Sequence, residues 1–96
     1  MEKDYIGKGY RCTDGVVRWV TEQTTRGNYR VLWLEEEEGV WHFGGVWKSA
    51  GLAGVVEGAE AFTPPQPGDT YRRAGMFSGF FEVAVPPNTH ASLRTR

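Results

Sequence analysis

Trp41-His42-Phe43, followed by Trp47, is the stretch best equipped for chemistry, and that chemistry is recognition. Indole and phenyl rings offer a large contact area and lose little conformational entropy on binding. Alternation along an extended chain puts Trp41 and Phe43 on one side and His42 on the other. With Trp19 and Trp33, four tryptophans fall within 29 residues of a 96-residue chain. The competing role for these rings is to fill the core, since large aromatics dominate small interiors. So small a domain has little room for all of them, which predicts a surface aromatic patch of Trp41, Phe43 and Trp47. Trp47, between the glycine pair and Lys48, is the first choice for an exposed ring.

Charged side chains frame that patch. Arg18 and Arg30 fall on adjacent predicted strands, and Glu36 and Glu37 lie in the acidic run 35–38. These residues are expected to set orientation at the rim of a contact with another protein. Arg18 and Arg30 beside aromatic rings also fit a second reading, a single-strand nucleic-acid binder that combines stacking with backbone attraction. The acidic run would repel phosphate, so this reading ranks below protein binding.

Catalytic constellations are absent from the pattern. Gly75-Met76-Phe77-Ser78-Gly79 lacks the order that places a serine nucleophile on a sharp elbow. Gly7-Lys8-Gly9 is too short for a phosphate-binding loop. His42 and His90 are isolated, which predicts no metal site, and no cofactor motif is present. Glu35 to Glu38 fan around a turn instead of converging as a catalytic pair. Pro64-Pro65-Gln66-Pro67 reads as a stiff connector more than as a ligand for a recognition domain.

The totals agree with a single binding domain. The net charge is −1, from 11 basic and 12 acidic side chains, which removes the strongest argument for a general nucleic-acid binder. The charge is uneven: residues 35–69 carry one Lys against seven acids, and residues 70–96 four Arg against one. Cys12 is the only cysteine, so no internal disulfide can form, and a cytoplasmic setting is expected. The first residues lack a signal-peptide core, and no run approaches the ~20 apolar residues of a membrane helix.

The elements that must position these groups are short strands. Tyr10–Thr13, Gly15–Thr21, Tyr29–Glu35 and Val40–Phe43 read as strands, with Gly44-Gly45 ending the last or bulging it before Val46-Trp47-Lys48. Thr70–Arg73, Gly79–Val85 and Ala91–Thr95 read likewise. In Tyr29–Glu35 the odd positions Tyr29, Val31 and Trp33 face the expected core. Leu32 and Leu34 on the other side require a second cover, supplied by 49–60, by the last strands or by a second subunit. For 49–60 the spacing of Leu52, Val55, Val56 and Ala59 is helical and Ser49 is placed to cap it. Gly51, Gly54 and Gly58, at roughly 1 kcal/mol each, limit it to one short turn.

The predicted fold class is all-β, or β with one short helical turn: a small SH3-like barrel or a strongly curled antiparallel sheet of five to six strands. It forms one domain over 1–96, with an N-terminal arm (1–8), a Pro-rich connector (64–69) and a loose final strand or tail (86–96). Residues 9–52 resemble SH3-like barrels in their order of features: a Gly before a β-branched strand, Tyr-x-Val-x-Trp, then an acidic hairpin leading to an aromatic strand. Gly15 to Lys48 also looks like the barrel of the small type II dihydrofolate reductases, tetramers in which a Val-Gln-Ile-Tyr stretch lines a shared pore. The matching positions are Val40, Trp41, His42 and Phe43, and only the valine is kept. The resemblance implies architecture and oligomerisation and argues against that reaction. The expected function is therefore non-enzymatic binding of a protein partner or of a second copy, with a homodimer favoured. Small size and the lack of catalytic motifs suit an accessory protein of the kind carried on mobile elements or phages.

Overall fold

Seven strands make one sheet in the computed structural model, which describes residues 4–75, 77 and 79–85. In chain order they are β1 (Lys8–Arg11), β2 (Val17–Gln23), β3 (Tyr29–Glu35), β4 (Val40–Trp47), β5 (Glu60–Phe62), β6 (Thr70–Ala74) and β7 (Phe80–Ala84). One helix, α1 (Ser49–Val56), lies between β4 and β5. The spatial order is β5-β1-β2-β3-β4-β6-β7, and all neighbours run antiparallel except β4 and β6. The all-β class with one short helix is therefore observed. The sheet has seven strands instead of five or six and is not closed into a barrel among the described residues. The expected strand at Ala91–Thr95 and the tail at 86–96 lie outside the described residues.

The sheet is strongly curled. Phe62 of β5 and Trp41 of β4 are four strand spacings apart, about 19 Å in a flat sheet. Their rings nevertheless stack at 6.4 Å. Trp19 of β2 likewise meets Tyr71 of β6 edge-to-face at 5.0 Å. The concave face thus encloses Val17, Trp19, Leu32, Trp41 and Val85, with Leu34, Phe62 and Tyr71 packed around them. On the convex face Tyr5, Ile6, Tyr10, Cys12, Val20, Tyr29, Val31, Leu52 and Val56 form a second cluster. Each face has its own cover, as the apolar residues on both sides of β3 require.

Helix α1 covers the convex face through Leu52 and Val56, one turn apart and both buried. It runs eight residues, longer than the single turn expected, because burying that pair outweighs the propensity cost of Gly51 and Gly54. Gly58 lies beyond the helix with φ +75°, so it terminates α1 instead of weakening it. Ser49 does not cap: it is the first helical residue, and Lys48 before it makes no side-chain cap bond. Tyr5 and Ile6 of the expected arm are buried in the convex cluster.

The concave face is covered from the end of β7. Val85 donates its N–H to the Asp69 carbonyl and accepts from the Gly68 N–H, both at 2.9 Å. The connector 63–69 thereby holds Val85 down on Trp19. β5 was not legible as a strand: Glu60-Ala61-Phe62 is only three residues long and pairs with β1. Among the described residues no helix is long and apolar enough to cross a membrane.

Candidate functional site

β4 changes character halfway along. Its first two residues, Val40 and Trp41, pair with β6 on one side and β3 on the other. From Phe43 to Trp47 it pairs only with β3 among the described residues. Val31 faces Gly45 and Leu32 faces Phe43, so Gly44 is the extra residue of a bulge. A Cβ at Gly44 would lie 3.1 Å from the Val31 carbonyl oxygen and 3.3 Å from Trp33 Cδ1. Gly45 adopts φ +113°, strained for any L side chain. Without those two glycines the edge would not take this shape.

At the mouth of the curl this half of β4 leaves Phe43 40% and Val46 48% exposed. Phe81 of β7, also half-exposed, and Val83 add to the same mouth. Beneath Phe43 and Val83 is a cavity of about 260 Å³ whose floor is Trp19, Leu32 and Val85. Arg73 places its guanidinium 5.9 Å from the centroid of the Phe43 ring. Arg30 and Glu22 close the rim as an ion pair. Tyr71 stands in the wall; burial pushes its phenol pKa up, offset in part by Arg73.

A second groove of about 430 Å³ opens on the convex side past the end of α1, between Val16, Trp33 and Trp47. Arg18 lies in it, its side chain only 12% exposed, 5.7 Å from the Trp47 ring. Its guanidinium donates to both Asp14 carboxylate oxygens, at 2.9 and 3.2 Å. That bond holds the Asp14 carboxyl below its ordinary value, with the Val16 N–H contributing. The same bond raises the Arg18 pKa. Trp47 turns back on its own strand, its Nε1–H donating to the Gly44 carbonyl at 3.2 Å. His42 stacks on Trp33 at 4.3 Å.

The residues chosen from sequence gather only in part: Arg18, Phe43 and Trp47 line the second groove together. Trp41, expected on the surface, is 4% exposed and packs edge-on against Trp19 inside the curl. The reason is that the curl brings Trp19 and Phe62 onto Trp41, while Phe43, two residues on, lies at the mouth beside Arg73. Trp33, expected in the core, is half-buried, because α1 does not extend over its end of the convex face. Trp47 is half-buried instead of freely exposed. Phe43 also lines the mouth cavity, where Arg30 joins it. Glu36 and Glu37 sit on the β3–β4 turn, where Glu36 binds Arg11 at 2.7 Å. Val46, Arg73 and Phe81 were missed. The signal for them was a β7 segment with phenyl rings on both faces, and a glycine pair read as a strand end or bulge.

Among the described residues no three His, Cys, Asp or Glu side chains converge as a metal site. Cys12 is buried in the convex cluster as a small apolar group. Among the described residues, buried Trp19 Nε1, Tyr10 Oη and His42 Nε2 find no hydrogen-bond partner, so these sites hold aromatic packing at some polar cost. No family model, no curated protein and no solved structure matches the chain.

Proposed function

We propose that this is a non-enzymatic binding domain that contacts another polypeptide through the mouth of its curled sheet. The contact surface is Phe43, Val46 and Phe81, with Arg73 and the Arg30–Glu22 pair at the rim. One observation carries the reading: Phe43, Val46 and Phe81 are each 40–50% exposed, with Phe43 and Val46 on the concave side of β4 and Phe81 paired with the Arg73 that flanks Phe43. Such a grouping, rimmed by charge, is the anatomy of a protein contact. Arg18 and Arg30, the cations on which nucleic-acid binding would depend, are both engaged by carboxylates. Phosphate would have to displace Asp14 and Glu22, which favours the protein reading.

The test is site-specific photo-crosslinking in the producing cell. Phe43 is replaced by p-benzoylphenylalanine, and exposed Glu57, beyond the far end of α1, by the same residue as control. Adducts one polypeptide larger are expected from position 43 and not from 57, and adding Val46→Lys should abolish them. Absence of adducts at 43, or equal yields at both positions, overturns the proposal.

A further inference from the structure

We infer that the polypeptide at this mouth is a second copy of the chain, added to the open edge of β4 across a two-fold axis; this rests on the binding reading above. Phe43-Gly44-Gly45-Val46-Trp47 holds no charged residue. Among the described residues nothing but β3 pairs with it. An open, uncharged edge strand is a template for another strand.

The bulge makes this edge self-complementary. Because Gly44 is the extra residue, Phe43 and Val46 share the concave side, opposite Leu32 and Arg30, while His42 and Trp47 share the convex side, opposite Trp33 and Tyr29. An antiparallel copy centred between Gly44 and Gly45 sets Phe43 against Val46 of the second copy, twice over. It also sets Trp47 against His42 of the second copy. Residues opposite each other then point to the same face, and an aromatic ring meets a β-branched side chain, a favourable cross-strand pair. The two glycine pairs meet at the axis, where absent side chains permit close approach. The other long edge does not offer this. A copy of β7 centred on its middle residue would oppose Glu82 to Glu82, and like charges directly opposite are destabilising. An isologous β4 contact also closes on itself, giving a dimer and not a fibre.

The experiment combines light scattering with amide hydrogen exchange at low and high protein concentration. The expected result is a mass of twice 10.8 kDa at high concentration. Amides of residues 43–47 should exchange at least about tenfold more slowly in that species than in the dilute monomer. Val46→Lys, at a half-exposed position, should return the mass to that of one chain with the circular dichroism spectrum unchanged, and Phe43→Lys should do the same. A dimer in which these amides exchange equally fast, or which survives Val46→Lys, overturns the edge pairing while leaving a contact elsewhere. A single-chain mass at every concentration overturns the second copy as partner; crosslinking at position 43 then decides the binding reading separately.

Discussion

The two faces of this sheet are both apolar, yet one is sealed and the other is left ajar. On the convex side the seal is local: α1 follows β4 directly and lays Leu52 and Val56 onto Val20, Val31 and three tyrosines. Tyr5 meets Tyr10 and Tyr29 edge-to-face there, at 6.3 and 5.5 Å. On the concave side the seal comes from Val85 and the connector, and the hairpin that delivers Val85 joins the sheet through two register pairs between β4 and β6. The heavier aromatics lie under this weaker cover. Large apolar side chains stay exposed where a cover assembled from distant segments stops short, and not where rings are most numerous.

Substitution of the enclosed rings tests that contrast most severely. Trp41→Ala should cost about 3–5 kcal/mol in denaturant unfolding, the range for a buried tryptophan. A surface ring would change stability by only about 0.5 kcal/mol, so a small effect would break the assignment of Trp41 to the interior. Leu52→Ala on the opposite face should cost about 2–5 kcal/mol, since the residue is fully buried beneath α1. Gly45→Ala should cost about 1–2 kcal/mol through its positive φ, read as a lowered thermal midpoint.

How much of this contrast could be read from the chain depends on which residues are asked. Alternation along Tyr29–Glu35 gave the strand and correctly demanded a cover on each side. It could not say how far along a face each cover reaches. Trp41 and Phe43 therefore looked equivalent, although one meets Trp19 and Phe62 inside the curl and the other stands at its mouth. The parallel β4–β6 join and the position of Val85 are set by contacts distant in sequence, and no local pattern encodes them. The helix was underestimated because propensity counts Gly51 and Gly54 but not the burial of Leu52 and Val56. The curl itself was legible, in the density of short strands and tight turns.

The smallest effect concerns the Asp14–Arg18 pair at the far end of the convex groove. Asp14 titrates below its ordinary 3.8 in the folded chain. Its contribution to stability is therefore complete above that value and is lost as pH falls through the lower folded value. The stability difference between the native chain and Asp14→Asn should be constant near neutrality and shrink on acidification below about pH 4. A difference that stays constant through that range would show that the pair does not form, and would free Arg18 to act as a cation in the groove.

The connector 63–69 has a further consequence for shape. It leaves β5 at one edge and enters β6 five strand spacings away, about 24 Å across a flattened sheet. Four residues of it are folded into a turn in which the Asp69 N–H bonds the Gln66 carbonyl. Allowing about 7 Å across that turn, the rest at full stretch brings its reach to about 24 Å, with no slack to spare. It must also climb over Trp19 on the way. The segment thus works as a bowstring, too short for the bow to straighten, and inserting a few residues into it should slacken the arc without touching a single core side chain.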